Sequence, residues 1–144
     1  MRKTATIIGV LFLIQLAMGV LLNQFLIGPI TFDPDYLVIA STNTEQLTIG
    51  VFISILSGAI TVWIASKLFP HFKPYGHTLA FVYLGFSIVS FAIILIDNVG
   101  IVSLLSISQE YNKPEVRNSE ILKTLGTVFY AIREWTHYLE LLFA

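Results

Sequence analysis

Three long stretches of the chain are apolar and carry no charged side chain. The first runs from Thr4 to about Ile27, the second covers residues 46–66, and the third covers residues 78–96. A helix of about 20 apolar residues is long enough to cross the hydrocarbon core of a bilayer, which is about 30 Å thick. The pattern therefore predicts three membrane-spanning helices, at residues 5–27, 47–67 and 78–98.

A fourth segment, residues 121–143, is apolar but is interrupted by charges. Its longest charge-free stretch, residues 124–132, is only nine residues long. Its polar and small positions recur at steps of four, three, four and three, which places them on one helix face: Gly126, Tyr130, Arg133, His137 and Glu140. We predict that this segment is the fourth span. The fold class is then all-α and integral to the membrane, a single domain over residues 1–144 built as a four-helix up-and-down transmembrane bundle.

The composition supports a lipid environment. Hydrophobic residues make up 56% of the chain and charged residues only 12%, whereas a soluble domain carries about 25% charged residues. The expected partners are therefore membrane lipids, together with other transmembrane helices or further copies of the chain. Nucleic acid is not expected as a partner, because the net charge is −1 and the chain has no basic block.

The distribution of basic residues predicts the orientation. Arg2 and Lys3 precede the first span, while the loop that follows it contains acidic residues and neither Lys nor Arg. By the positive-inside rule the N-terminus lies in the cytoplasm. In this orientation four basic residues are inside, Arg2, Lys3, Lys67 and Lys73, and three are outside, Lys113, Arg117 and Lys123.

Small and hydroxyl side chains mark the faces that we expect to pack. In the second span they share one helix face: Gly50, Ser54, Gly58, Thr61 and Ala65. Small residues let helices in lipid approach closely, so this face predicts a packing seam. The alternative is a substrate path lined by hydroxyl groups.

The polar stripe of the fourth segment is the candidate site: Arg133, Glu134, His137 and Glu140. Its candidate partners are Tyr83, Ser87, Ser90 and Asp97 of the third span, and we place Asp97 itself at the outer end of that span. A charge at the depth of Arg133 costs about 2.5–3.5 kcal/mol on insertion scales, so it should be paired and face protein or a water-filled cavity.

Three interpretations of the stripe remain open. The first is a structural ion-pair network that fixes the register of the helices. In the second, the segment is an amphipathic helix that lies on the membrane surface. The third is a ligand-binding or proton-handling site, because ionisable groups within membranes are frequently functional.

Motifs of known enzyme classes are absent from the sequence. It contains no phosphate-binding glycine-rich loop, no Gly-x-Ser-x-Gly and no His-Glu-x-x-His. We therefore expect no catalysis, no cofactor and no metal. A haem or quinone redox protein is a further class, for which His77 and His137 would be the haem ligands, but the chain has no second pair of histidines.

Short motifs spread along the whole chain give it a family resemblance. They include Gly28-Pro29-Ile30, Leu68-Phe69-Pro70, Tyr83-x-Gly85-Phe86 and Arg133-Glu134-Trp135. In this order they resemble a bacterial multi-pass membrane family named only as domain of unknown function 4386. The resemblance implies a plasma-membrane protein of which this chain is the first four spans, so the chain is expected to be truncated. It implies no activity.

The resemblance also marks three departures from the family pattern. Positions that look charged in relatives are serines here, namely Ser54, Ser87 and Ser90. From the sequence we expect an integral membrane protein of unknown biochemical activity with a structural or interaction role as a bundle component. The alternative is a small-molecule or proton-handling protein that uses the polar stripe.

Overall fold

The computed structural model describes residues 2–115 and 119–143, and these residues are almost entirely helical. No strand occurs among them, so the all-α prediction is confirmed. Arg117, one of the charges that entered the orientation count, lies outside the described residues. The elements in chain order are α1 (Arg2–Leu21), a π-helical turn (Leu22–Leu26), α2 (Gly28–Thr31), α3 (Tyr36–Thr42), α4 (Thr44–Phe72), α5 (His77–Tyr111) and α6 (Glu120–Phe143).

The surface of the bundle is apolar, and several of its interior positions are polar. Among the described residues, three helical segments are long and apolar enough to cross a membrane: Lys3–Thr31, Thr44–Phe72 and His77–Tyr111. Leu13, Leu16 and Phe52 are each more than 65% exposed, while Ser87, Asn98 and other polar side chains are buried. Such an apolar exterior is stable in lipid, because contact of apolar side chains with hydrocarbon costs no free energy. In water the same exposed surface would be unfavourable.

The long helices α4 and α5 form the centre of the bundle. The seam predicted for the second span faces α5 at Gly58, where an added Cβ would overlap the ring of Phe91. Gly50, about two helical turns earlier on the same face, is buried beside Ile27. The absence of a side chain at these positions allows the close approach of neighbouring elements.

The chain turns sharply where α1 ends. The last turn of the first span is π-helical, and a Cβ on Gly28 would overlap the carbonyl oxygen of Asn23 in that turn. Only glycine fits this contact. Pro29 lies in the first turn of α2, where a backbone N–H has no helical partner, so its missing N–H costs nothing. The first loop therefore contains two short helices, α2 and α3, which pack on the end of the bundle around a cluster that includes Ile30, Ala40 and Ile101.

A buried hydrogen-bond network fixes α3 to the C-terminal end of α5. The Ser108 hydroxyl donates to the Leu37 carbonyl at 2.6 Å and accepts from the Ser41 amide at 2.8 Å. The Asn112 side-chain amide donates to the same Leu37 carbonyl and to the Ser41 hydroxyl. These bonds satisfy backbone groups at an irregular junction, where helical partners are missing.

Helix α5 continues well beyond the position where the sequence placed the end of the third span. It runs without interruption through Asp97 and Asn98 to Tyr111. Asp97 is therefore an interior residue of a 35-residue helix. Its neighbour Asn98 donates to the Ser54 hydroxyl of α4 at 3.0 Å. Contacts between helices thus accommodate both polar side chains within the bundle.

Helix α6 packs antiparallel to α5, with its polar face turned inward. Its Gly126 lies against Leu37, near the C-terminal end of α5, and its Thr136 reaches Asp97. The opposite face of α6 exposes apolar side chains at steps of four and three: Ile121, Leu125, Val128, Ile132, Trp135 and Leu139. The part of α6 that carries Arg133 and Thr136 packs on α5, so α6 is the fourth long helix of the bundle. Among the described residues it is not one of the three helices that are long and apolar enough to cross a membrane.

Candidate functional site: a polar cleft between the helices

A cleft of about 730 Å³ opens between α1 and α6, with α4 and α5 behind it. It arises because α1 packs on α4 and α6 packs on α5, which leaves a gap between the two outer helices. All four long helices contribute polar side chains to it. This volume lies within the range of about 300–1,000 Å³ that is typical of small-molecule sites.

Almost all of the side chains proposed from the sequence line this one cleft. From α6 these are Arg133, His137 and Glu140, and from α5 they are Tyr83, Ser87, Ser90 and Asp97. Glu134 is the exception, because it is exposed and does not line the cleft. The cleft thus joins the stripe of the fourth segment to its proposed partners on the third.

Asp97 and Arg133 form the charged end of the cleft. The Arg133 Nε lies 3.6 Å from Asp97 Oδ1, and the two side chains are only 12% and 16% exposed. Asp97 Oδ1 also accepts a hydrogen bond from the Thr136 hydroxyl at 2.8 Å. A carboxylate that interacts with both a cation and a hydroxyl keeps α5 and α6 in a fixed register.

An aromatic side chain covers the other side of the arginine. The Arg133 guanidinium lies over the ring of Phe32, at 5.3 Å from its centroid. The His137 ring meets the same phenyl ring edge-on at 6.4 Å. Nε and Nη1 of Arg133 are buried and make no hydrogen bond, so most of this cation is enclosed by protein.

Hydroxyl and amide groups line the opposite wall. The Gln15 side-chain amide of α1 donates to the Thr61 hydroxyl at 2.5 Å and to the Ser57 carbonyl at 3.0 Å. These bonds hold α1 to α4. Ser54 also lines the cleft, and it accepts the hydrogen bond from Asn98. The seam of the second span thus contributes both to packing, through its glycines, and to the cleft, through its hydroxyls.

Glu140 differs from the other charged groups of the cleft. It lies two turns beyond Arg133 on the same face of α6 and is partly buried. Within the described part of the chain no basic group lies within 4.0 Å of its carboxylate, although Asp97 and Arg133 are near enough to act on its charge. The cleft therefore contains one acidic group without a direct ionic partner.

The rim of the cleft is apolar and aromatic. Phe12 and Leu16 on α1 and Phe86 on α5 line it and are each about half exposed or more. Leu142 completes the rim on α6. A molecule entering from the lipid would meet these side chains before reaching the polar interior.

Reasoning from the sequence missed two side chains at the charged end of the cleft, Thr136 beside Asp97 and Phe32 beside Arg133. Thr136 is three residues from Arg133, and its hydroxyl could have been recognised as part of the inward face of α6 from that spacing. Phe32 lies in the first loop, and no local pattern connects it with Arg133.

His77 begins α5 and is exposed, whereas His137 lies in the cleft, so the two histidines do not share a site. No group of metal-binding side chains is formed within residues 2–115 and 119–143.

The apolar exterior, the helical bundle and the polar cleft between the helices define the class of this molecule as an integral membrane protein. Within that class the chain belongs to the family described as Domain of unknown function (DUF4386), which it matches over residues 7–144. This confirms the family resemblance of the short motifs. No curated protein and no solved structure matches the chain.

Proposed function

We propose that this protein binds a small amphiphilic molecule within the membrane, in the cleft between α1 and α6. One observation carries the proposal: polar side chains from four separate helices converge on a single cavity of about 730 Å³ with an apolar rim. A bundle whose polar groups served only to fix its helices would pair them without leaving free volume.

The structural and the binding interpretations apply to different residues of the stripe. Asp97, Arg133 and Thr136 are bonded to one another and fix α6 on α5. His137 and Glu140 lie in the cleft with Tyr83 and Ser90. We assign the first group to architecture and the second to ligand contact.

The setting of the protein is part of the same proposal. We place it in the bacterial plasma membrane with its N-terminus in the cytoplasm, on the strength of Arg2 and Lys3 and the acidic first loop. The exposed apolar face of α1 offers a contact surface to lipid and to further transmembrane helices.

Equilibrium dialysis against protein-containing nanodiscs tests the binding function. The probes are three dodecyl amphiphiles that differ only in their head group: dodecyltrimethylammonium, dodecanol and dodecyl sulfate. At least one is expected to show saturable uptake above that of empty nanodiscs. Ser90→Trp fills the cleft and should abolish this uptake, whereas Ile88→Trp, on the lipid-exposed side of α5, should preserve it.

The proposal is wrong if none of the three probes exceeds the empty nanodiscs. It is equally wrong if a probe binds alike to the wild type and to a folded Ser90→Trp variant. Circular dichroism and size-exclusion chromatography establish that both tryptophan variants are folded.

A further inference from the structure

The cleft is lined by two carboxyl groups, Asp97 and Glu140, and by one arginine, Arg133. Asp97 and Arg133 form a pair at 3.6 Å, and the guanidinium is covered by Phe32 on its other side. Arg133 also lines the cleft, and its Nε and Nη1 atoms are buried without a hydrogen bond. Within the described residues its ion-pair partner is Asp97, which offsets the positive charge.

Glu140 is the second acidic side chain of the cleft. Among the described residues its carboxylate has no basic partner within 4.0 Å, and Asp97 and Arg133 are near enough to act on it with opposite signs. His137 and Tyr83 are the other titratable side chains of the cleft. A carboxylate in such a cleft is stabilised by a counter-charge, because an unpaired charge there is costly.

The walls of the cleft suit an organic cation. Aromatic side chains from two helices line the cleft, Phe12 from α1 and Tyr83 and Phe86 from α5. The faces of such rings attract cations, most strongly where water is excluded. Leu16 and Leu142 add aliphatic surface at the rim, where the apolar body of a ligand would lie.

We infer that the cleft selects amphiphiles with a cationic head group, and that Glu140 supplies the counter-charge. This inference rests on the proposed binding function and adds the chemical class of the ligand. The head group would lie at Glu140 among the aromatic rings, and the apolar chain would extend past Leu16 and Phe86 into the lipid.

The same dodecyl probes test the inference, now with matched variants of two glutamates on α6. We expect the wild type to bind dodecyltrimethylammonium about ten-fold more tightly than dodecanol, and dodecyl sulfate most weakly. Glu140→Gln should remove the preference for the cation and retain binding of dodecanol. Glu134→Gln, an exposed position outside the cleft, should behave as the wild type.

The inference is overturned if dodecanol or dodecyl sulfate binds the wild type as tightly as the cation does. It is also overturned if Glu140→Gln and Glu134→Gln have the same selectivity. If dodecanol or dodecyl sulfate is the preferred ligand and Ser90→Trp abolishes its binding, the proposed binding function stands while the cation selectivity fails. The two hypotheses therefore fail by different results.

Discussion

The Asp97 carboxylate on α5 and the Arg133 guanidinium on α6 approach to 3.6 Å between Oδ1 and Nε, and both side chains are largely buried. The two residues are 36 positions apart in the chain, and each sits in the interior of its helix. Their contact explains how a helix with as many charges as α6 can belong to a bundle in lipid, because each charge of the pair neutralises the other.

Removing one member of this pair should cost more than removing both. Arg133→Leu leaves the Asp97 carboxylate buried without its cation, and we expect a loss of about 3–5 kcal/mol in the free energy of unfolding. The double variant Asp97→Asn with Arg133→Leu should recover most of this loss, since neither charge remains and the Thr136 hydroxyl can still donate to the introduced amide oxygen. Unfolding in mixed detergent micelles, followed by circular dichroism, measures these differences.

Glu134→Gln is the control for the pair, because Glu134 is exposed and should change stability by less than about 0.5 kcal/mol. A structural role of the pair would be refuted if Arg133→Leu were as stable as this control. It would also be refuted if the loss of unfolding free energy in the double variant equalled the sum of the losses in Arg133→Leu and Asp97→Asn. Additive losses would show that the two side chains do not interact.

The contact between α4 and α5 predicts a strong dependence on residue size at Gly58. A Cβ there would overlap the Phe91 ring and lie 3.2 Å from Ile94 Cδ1, so Gly58→Ala must displace both side chains. Such overpacking typically costs about 1–3 kcal/mol. The midpoint of thermal unfolding in detergent should fall accordingly.

Gly85→Ala provides the comparison on the same pair of helices, since nothing lies within 4 Å of a Cβ at that position. It should be neutral or slightly stabilising, because alanine restricts the unfolded chain more than glycine does. If Gly58→Ala and Gly85→Ala had equal midpoints, the close approach at Gly58 would not exist in the folded protein.

The cleft predicts selective chemical access to one side of α5. The chain contains no cysteine, so single cysteines can be introduced without a background. Ser90→Cys, which lines the cleft, should react with N-ethylmaleimide in proteoliposomes. Ile93→Cys, at a buried position that does not line the cleft, should react far more slowly. Mass spectrometry of the labelled protein gives both rates.

Equal rates for the two cysteines would contradict a cleft on that face of α5. Labelling after unfolding in dodecyl sulfate provides the control, because both thiols should then react completely. A difference that persists in the unfolded state would reflect local chemistry and not the fold.

Much of the fold follows from local features of the sequence. Charge-free stretches of about 20 residues indicate helices that cross lipid, and the repeat of Gly50, Ser54 and Gly58 indicates which face of α4 packs. The repeat of Arg133, His137 and Glu140 likewise indicates one polar face on α6. These features are readable because side chains three and four positions apart share a face of any helix, whatever surrounds it.

The end of the third span shows where such reasoning stops. Asp97 and Asn98 end a charge-free stretch, and for a single helix in lipid that marks an interface. In the structure the helix continues to Tyr111, and Arg133, Thr136 and Ser54 interact with these two polar side chains. These partners lie on other helices, so they are not visible from the local pattern.

The amino-acid sequence by itself determined the solvent of this protein, its helical class and the polar face of each helix, because those properties depend on neighbours within a few positions. The tertiary structure alone decided that α6 turns Arg133 and Glu140 to the cleft while Glu134 stays outside it. It also decided that Phe32 covers Arg133 and that Glu140, within the described residues, has no basic partner within 4.0 Å. Those outcomes depend on distances between residues far apart in the chain, and only the packing of four helices against one another sets such distances.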